Sequence, residues 1–285
     1  MPLRDESKYL IKVNGEPQEV TEIREKILTS FNELEFVEEG HKYFLKGKEL
    51  SSVSVFAHQF EEEFNAEEKA IAYAEKHGET PEYWLGQWRF NNLKATVKGT
   101  QCHSFGESMS WIKMGHPENI VSDQTYKYVE DKGWLIPTRP QEISVLKFWE
   151  EFPFDTMHIV LPETRVYTDV DKYSTNYAGT FDLLCYFKHP IDDSKSGLVL
   201  LDYKTNADIY KQYSRDKNKM MYPPFLDLYQ EPFGTYTVQL NCYQIPLEDM
   251  GLKVIGRRII WLKEDETYQI IPVNNVTEKI RKFIK

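Results

Sequence analysis

Three short runs rich in apolar, β-branched and aromatic residues follow one another in the second half of the chain. They span 158–168, 178–187 and 197–205, and polar turns separate them. Runs of this length and composition predict three successive β-strands. A helical pattern and two further strand-like runs follow, at 236–250, 253–263 and 268–273. Because helical patterns dominate the residues before the strands, this order predicts a mixed α/β fold with a helical N-terminal region.

The residues around these strands carry the other local signals. Helical patterns cover 21–32, 66–77, 140–151 and 277–285. A short hairpin is expected at 39–40, and Ser51 or Ser52 is a candidate N-cap for a helix that extends to residue 60. A long helical pattern over 81–114 is expected to break at Gly99, because glycine is a poor helix former.

The longest stretch without a regular pattern is 206–234, which is rich in Tyr, Lys and Pro. A loop of this length in a compact domain is usually functional or mobile. Its candidate DNA-binding residues are Lys211, Tyr213, Arg215, Lys217 and Lys219. Basic and aromatic residues together favour a path for a single strand, since bases stack on rings and cations follow phosphates. A solvated loop with some packed tyrosines is the alternative interpretation.

Composition excludes several classes of protein. The 285 residues suffice for a sizeable core, and the net charge of −10 is unlike that of proteins that coat nucleic acid non-specifically. No apolar stretch approaches the about 20 residues of a membrane helix. The first residues lack a signal-peptide pattern and include Asp5 and Glu6. We therefore expect a soluble cytoplasmic protein without membrane contact. Three widely spaced cysteines favour reduced thiols over a disulfide framework or a zinc site.

An acidic and a basic residue end the third predicted strand. Asp202 and Lys204 follow the apolar run 198–201, and side chains two apart on a strand share a face. The same acid-x-Lys pattern occurs at 6–8, 67–69, 130–132 and 193–195, but there in charged or turn contexts. A carboxylate that holds a divalent ion beside an ammonium suits metal-assisted phosphoryl chemistry. A satisfied ion pair at a sheet end is the structural alternative.

The preceding strand adds a second carboxylate. Asp182 lies inside the apolar run 177–184, between Phe181 and Leu183. A buried carboxylate is costly unless it is paired or metal-bound. A hairpin turn over 189–196 would bring Asp182 beside Asp202, and two converging carboxylates form an oxygen-rich site of the kind that Mg²⁺ or Mn²⁺ prefers.

These motifs resemble the PD-(D/E)XK nuclease superfamily. The resemblance rests on 179–182 (GTFD) followed, after a hairpin, by 202–204 (DYK). Three further features resemble its RecB-like branch: His103 and Glu107 in a G-x-x-x-H-x-x-x-E helix, Gln239 and Tyr243 in a Q-x-x-x-Y helix, and Glu163 on the first strand. The resemblance covers about 98–263, and the residues before it are also similar to phage-type exonucleases and the mitochondrial genome maintenance exonuclease family.

Two features depart from the family pattern. Phe181 replaces the proline of the motif name, and the second acid is Asp202 rather than glutamate. The chain also lacks the four cysteines of the iron–sulfur subgroups, so no such cluster is expected.

The resemblance implies a PD-(D/E)XK core, a central mixed sheet flanked by helices, over 98–285, with a helical and hairpin region over 1–97 packed on it. It implies a metal-dependent deoxyribonuclease, most consistent with an exonuclease that acts on single-stranded or end-bearing DNA in replication, recombination or repair. A structure-specific endonuclease or flap trimmer and a non-catalytic DNA-binding module stay open. A phage or bacterial setting and a recombination or replication partner protein are implied only by the resemblance, and the oligomeric state is left open.

The resemblance also assigns roles to individual residues. Asp182, Asp202 and Lys204 are the expected catalytic set. One or two Mg²⁺ or Mn²⁺ ions are expected on Asp182, Asp202, His103 and the backbone carbonyl of Tyr203. Gln239 and Tyr243 would contact DNA or brace the metal-binding strands, and Thr205 would donate to a phosphate. Glu107 and Glu163 are supporting acids for which a plain exposed carboxylate is an equally good reading.

Overall fold

A computed structural model describes residue 13 and residues 15–121 and 127–285. Its helices are α1 (Gln18–Ser30), α2 (Val53–His58), α3 (Ala66–His77), α4 (Pro81–Lys113), α5 (Pro140–Glu150), α6 (Gln212–Asp216), α7 (Pro232–Asp249) and α8 (Thr277–Ile284). Its strands are β1 (Leu34–Val37), β2 (Lys42–Leu45), β3 (Lys48–Ser52), β4 (Tyr128–Val129), β5 (Trp134–Leu135), β6 (Met157–Tyr167), β7 (Tyr177–Phe187), β8 (Gly197–Lys204), β9 (Val254–Leu262) and β10 (Tyr268–Pro272).

Within these described ranges, eight strands form one mixed sheet. Its order is β1-β2-β3-β7-β8-β9-β10, and β6 pairs along the whole of β7. The pair β4–β5 stands apart. The sheet is mixed because β3 and β9 run parallel to their inner neighbours, β7 and β8, whereas the other pairs are antiparallel. The predicted mixed α/β architecture, with helices around a central sheet, is therefore confirmed.

Strand β7 is paired incompletely on the edge opposite β6. On that edge β3 pairs with residues 177–178, and β8 pairs with residues 183–187. No register pair in the described chain covers residues 179–182 there. The sheet consequently has a gap at this point, between the ends of β3 and β8.

The helices sandwich strand β8. Every residue of β8 is buried, as expected for a central strand covered on both faces. The ring of Tyr203 packs against α4 at Gly106 and against Phe148 of α5. Its neighbour Lys204, whose side chain points to the other face by strand alternation, lies over Tyr236 of α7. Helices α4 and α5 thus cover one side of the strand end, and α7 covers the other.

The structure corrects two of the local predictions. Helix α4 continues through Gly99 without a break. It also spans residues 97 and 98, where the sequence analysis placed the boundary between the N-terminal region and the core. A single glycine costs only about 1 kcal/mol in a helix, which the turns on either side can offset. The segment 206–234 contains α6 and a bridge between Met220 and Tyr229, so it is more regular than predicted. Its polar composition gave no local signal for this helix or this bridge, which depend on contacts with distant parts of the chain.

Other elements agree with the sequence to within a few residues, and Ser52 is the N-cap of α2. Strands β3, β4 and β5 were not predicted. Asp5, Glu6 and Lys8, which entered the sequence interpretation, lie outside the described residues. None of the described helices is long and apolar enough to cross a membrane.

A buried arginine fixes α1 onto strand β6. Arg24 is 1% exposed, and its guanidinium donates to both carboxylate oxygens of Glu16 at 2.7 Å. It also donates to the carbonyls of Ile159 and Val160, at 3.2 and 2.8 Å. These carbonyls lie where the β6–β7 register shifts, between Ile159 and Leu161. The arginine thus donates to backbone carbonyls at the irregularity in this strand.

We predict that Arg24→Met destabilises the fold by about 3–5 kcal/mol, because it removes the cation that pairs with the largely buried Glu16 carboxylate and the donor to two buried carbonyls. Urea unfolding at pH 7 measures the change. The double variant Arg24→Met/Glu16→Gln should recover part of the lost stability, since it also removes the unpaired negative charge of Glu16.

Arg89→Met is the matched control. Arg89 is exposed on α4, so its loss should change stability by no more than about 0.5 kcal/mol. Equal stabilities for the Arg24 and Arg89 variants would contradict the anchoring role of Arg24.

Candidate metal centre

The gap in the sheet opens into a cleft. Beyond the pair Leu183–Leu201, β8 leaves β7 while it continues to pair with β9. Where backbone pairing stops, Asp182 Oδ2 accepts a hydrogen bond from the backbone N–H of Tyr203 at 2.6 Å. The carboxylate thus accepts the hydrogen bond that a backbone carbonyl of β7 would otherwise accept. Because a side chain stands between the two backbones, the strands are farther apart here than in the paired part of the sheet. The cavity beside it has a volume of about 210 Å³.

Three side chains of types that can bind a metal ion converge in this cleft. His103 Nδ1 lies 3.2 Å from Asp182 Oδ1 and 3.9 Å from Glu163 Oε1. One ligand atom of each of the three residues lies within 4.8 Å of the others. Asp182 is buried, while His103 and Glu163 are partly exposed. A cation in the cleft could therefore be reached by a buried carboxylate, an accessible carboxylate and an imidazole.

The backbone at Glu163 has an uncommon conformation. Its φ is +40°, although it lies within β6, between the residue pairs Pro162–Leu183 and Thr164–Phe181. By this register Glu163 stands opposite Asp182. A non-glycine residue in this region stores strain, and such strain is concentrated at binding and catalytic sites.

Asp202 and Lys204 form the second half of the site. Lys204 Nζ lies 2.5 Å from Asp202 Oδ2, and both side chains are close to fully buried. Among the described residues, the Lys204 ammonium is the group that contacts the Asp202 carboxylate, and neither carboxylate oxygen makes a hydrogen bond of regular geometry. A buried carboxylate in this state favours a further cationic partner.

The electrostatics of the two acids differ. Burial raises the pKa of Asp202 to about 6, against the attraction of Lys204. Burial also opposes ionisation of Asp182, but His103, Lys204 and the Tyr203 N–H outweigh it and hold the pKa of Asp182 below its ordinary value. Burial lowers and Asp182 raises the pKa of His103, with a net increase, so a proton on His103 competes with a metal ion for its nitrogen.

Lys204 interacts with two carboxylates and an aromatic ring. Burial disfavours its charge, but Asp202 and Asp182 raise its pKa above the usual lysine value. Its ammonium also lies 4.6 Å from the centre of the Tyr236 ring. The lysine is therefore a fixed cation at the end of β8.

Helix α7 supplies the wall of the cleft opposite α4. Gln239 and Tyr243 line the cavity, and Gln239 Nε2 donates to the Tyr243 hydroxyl at 2.9 Å. Tyr243 also packs against Gly179, where an added Cβ would lie 2.8 Å from its ring. The glycine of the GTFD motif thus permits α7 to approach β7.

Two of the predicted supporting residues lie elsewhere. Glu107 accepts a hydrogen bond from Trp111 Nε1 at 3.3 Å and is absent from the cavity lining. Thr205 faces α4, with its hydroxyl 3.8 Å from the Cβ position of Gly99. The Tyr203 backbone lies between Asp202 and Lys204, whereas its ring packs under α4.

The basic segment after β8 is held largely by internal pairs. Arg215 forms an ion pair with Glu231 at 2.7 Å, and Lys219 pairs with Glu62. Tyr213, Lys211 and Lys217 are exposed. Its role as a DNA path stays a prediction.

The cavity also contains residues that the motifs did not indicate. They are His41, Tyr43, Ser52, Val53 and Ser54. Tyr43 reaches the site through a hydrogen bond between its hydroxyl and that of Thr180, at 3.1 Å. These residues come from the β1–β3 region and the start of α2, and the parallel pairing of β3 with β7 brings that region to the cleft. No local pattern could have shown that pairing.

The donor set fits a hard divalent cation. The ligand atoms that lie together belong to one imidazole, His103, and two carboxylates, Glu163 and Asp182. Asp202 is a further buried carboxylate on β8 that does not line the cavity and pairs with Lys204. Mg²⁺ and Mn²⁺ prefer oxygen ligands, and Mn²⁺ accepts an imidazole as well. Thiolates are absent from the set: the three cysteines are buried elsewhere, and none lines the cavity.

No known protein-family model matches the chain, and no curated protein is similar enough to match it. The interpretation of the site therefore depends on its geometry and on the sequence motifs.

Helix α4 can deliver His103 to the cleft because Gly106 allows it to touch β8. A Cβ at Gly106 would lie 2.6 Å from the ring of Tyr203, which is buried and cannot turn away. We predict that Gly106→Ala destabilises the fold by about 1–3 kcal/mol through overpacking. Urea unfolding measures the difference.

Gly86→Ala is the control in the same helix. No atom lies within 4 Å of its Cβ position, so this variant should gain about 1 kcal/mol from helix propensity. A gain for both variants would show that α4 does not depend on close contact at Gly106.

Proposed function

We propose that this protein is a metal-dependent deoxyribonuclease with a PD-(D/E)XK core of the RecB-like type. The observation that carries the proposal is the meeting of Asp182, Asp202, Lys204, His103 and Glu163 where β8 leaves β7. Buried carboxylates beside a buried lysine are costly to fold, and they suit a site that neutralises and cleaves a phosphodiester.

Asp182, Asp202, His103 and the Tyr203 carbonyl are the proposed ligands, with Glu163 as an additional acid. Bound Mg²⁺ or Mn²⁺ would lower the pKa of an attacking water and neutralise charge on the phosphate. The chain itself contributes orientation. Asp182 keeps the strands apart through Tyr203, and α4 places the His103 imidazole against Asp182.

Lys204 is the proposed residue that orients the attacking water. Its ammonium is held at Asp202 and stabilises negative charge at the end of β8. Gln239 and Tyr243, joined by a hydrogen bond, would position the substrate strand at the cavity wall.

For the substrate we propose single-stranded or end-bearing DNA, as the sequence resemblance implies. The chain's net charge is −10, so contact with DNA has to be local and assisted by the metal. Structure-specific endonuclease activity is the outcome that internally labelled and flap substrates would reveal.

The test is a gel assay on end-labelled single-stranded, duplex and flap DNA with Mg²⁺ or Mn²⁺. We predict metal-dependent cleavage that EDTA abolishes. Asp202→Asn and Lys204→Met should each reduce it by at least about 100-fold, because each removes a group that stabilises transition-state charge. The label position reports the polarity.

The turn between β7 and β8 offers a matched control. Asp193 and Lys195 repeat the acid-x-Lys pattern, but their side chains are 79% and 64% exposed. Asp193→Asn and Lys195→Met should cleave like the unaltered protein. Retained activity in the Asp202 or Lys204 variant would overturn the assignment, and DNA binding without cleavage would favour a binding module.

A second prediction concerns the metal. His103→Asn should weaken Mn²⁺ binding by about 10–100-fold, the loss that is typical of a disturbed metal site. Calorimetry without DNA measures this affinity.

His116→Asn is the control, because His116 pairs with Glu118 beyond the end of α4 and outside the cleft. If both histidine variants bound Mn²⁺ like the unaltered protein, His103 would not be a ligand.

A further inference from the structure

The ammonium of Lys204 rests on the face of an aromatic ring that the motifs do not include. Its Nζ lies 4.6 Å from the ring centre of Tyr236 on α7, within the range of a cation–π interaction. The lysine is 9% exposed, so little water competes for its charge. Such contacts are stronger when the cation is desolvated.

The ring itself is fixed from its far end. The Tyr236 hydroxyl donates to Asn206 Oδ1 at 2.6 Å. The carbonyl of Asn206 in turn accepts from Trp261 Nε1 at 2.7 Å, and Trp261 stands opposite Lys204 in the β8–β9 pairing. The Tyr236 ring is therefore linked through Asn206 to β9, the strand that pairs with β8 at Lys204.

An aromatic partner suits this position because Asp202 has two roles. Among the described residues, its carboxylate is the one that forms an ion pair with Lys204, and it is also a proposed metal ligand. A metal ion on Asp202 would weaken its hold on the lysine. A neutral ring does not bind Mg²⁺ or Mn²⁺, so its attraction for the ammonium persists.

We propose that Tyr236 is a positioning residue that holds Lys204 in its working orientation. The inference rests on the proposed nuclease function. Tyr236, Gln239 and Tyr243 follow one another at helical spacings of three and four, so one face of α7 serves the lysine and the cavity wall together.

The first experiment is steady-state cleavage of a labelled single strand. Tyr236→Leu should lower kcat by about 10–100-fold, the scale expected for a misplaced catalytic group, with little change in KM. Tyr236→Phe retains the ring face and should restore most of kcat.

Phe233→Leu is the control, because Phe233 lies one turn earlier on α7 and packs on Tyr210, with the two ring centroids 5.2 Å apart. Normal kcat for Tyr236→Leu, or equal losses in all three variants, would overturn the proposal.

The second experiment needs no activity. Thermal unfolding of Tyr236→Leu, Lys204→Met and the double variant forms a cycle. We expect Tyr236→Leu to lower Tm by about 2–4 °C more when Lys204 is present than when it is absent. Additive effects would refute the contact. If the unaltered protein cleaves no DNA, the nuclease proposal fails, whereas coupling in this cycle would still support the hold of Tyr236 on Lys204.

Discussion

The separation of β8 from β7 is the constraint on which the site depends. Two neighbouring antiparallel strands normally continue their ladder until one of them ends. Here the backbone pairing of β7 with β8 ends at Leu183 and Leu201, and the next N–H of β8 that bonds to β7, that of Tyr203, donates to Asp182 Oδ2. Because β8 stays paired with β9 to its last residue, the strand ends rigidly rather than fraying. The cleft is thus a product of sheet geometry and not of a mobile loop.

The packing around this cleft offsets the cost of buried charge. Asp202, Lys204 and Asp182 lie in a region where an unpaired charge would destabilise the fold. Each is held by a different kind of group: a cation, an aromatic ring or a backbone N–H. Among the described residues, Asp202 has its ion pair but no hydrogen bond of regular geometry, so a bound cation at this position would stabilise the protein further.

The sequence predicted those parts of the site that depend on strand alternation and on short connections. Asp202 and Lys204 follow from their place at the end of an apolar run, and Asp182 follows from the hairpin that joins β7 to β8. The parallel pairing of β3 with β7 is a long-range contact, so the cavity residues Tyr43 and Ser52 had no local signal.

Three features show why local rules were insufficient. Gly99 was expected to break α4, but a helix of 33 residues continues through it. The φ of +40° at Glu163 depends on the neighbouring strand and cannot be derived from its residue type. Tyr236 was placed in the predicted helix, yet its contact with Lys204 requires the packing of α7 on β8.

The two oxygens of Asp182 perform separate tasks, and this affects how inactive protein should be prepared for trapping a substrate complex. Oδ2 holds the Tyr203 N–H, whereas Oδ1 faces His103. An asparagine there would turn its NH₂ group toward one of these partners, so the width of the cleft could change together with its chemistry. Within the described part of the chain, Asp202 makes no such hydrogen bond to the backbone. Its amide variant removes charge without altering the strand junction, and it is the better choice for capturing the cleft in its native shape.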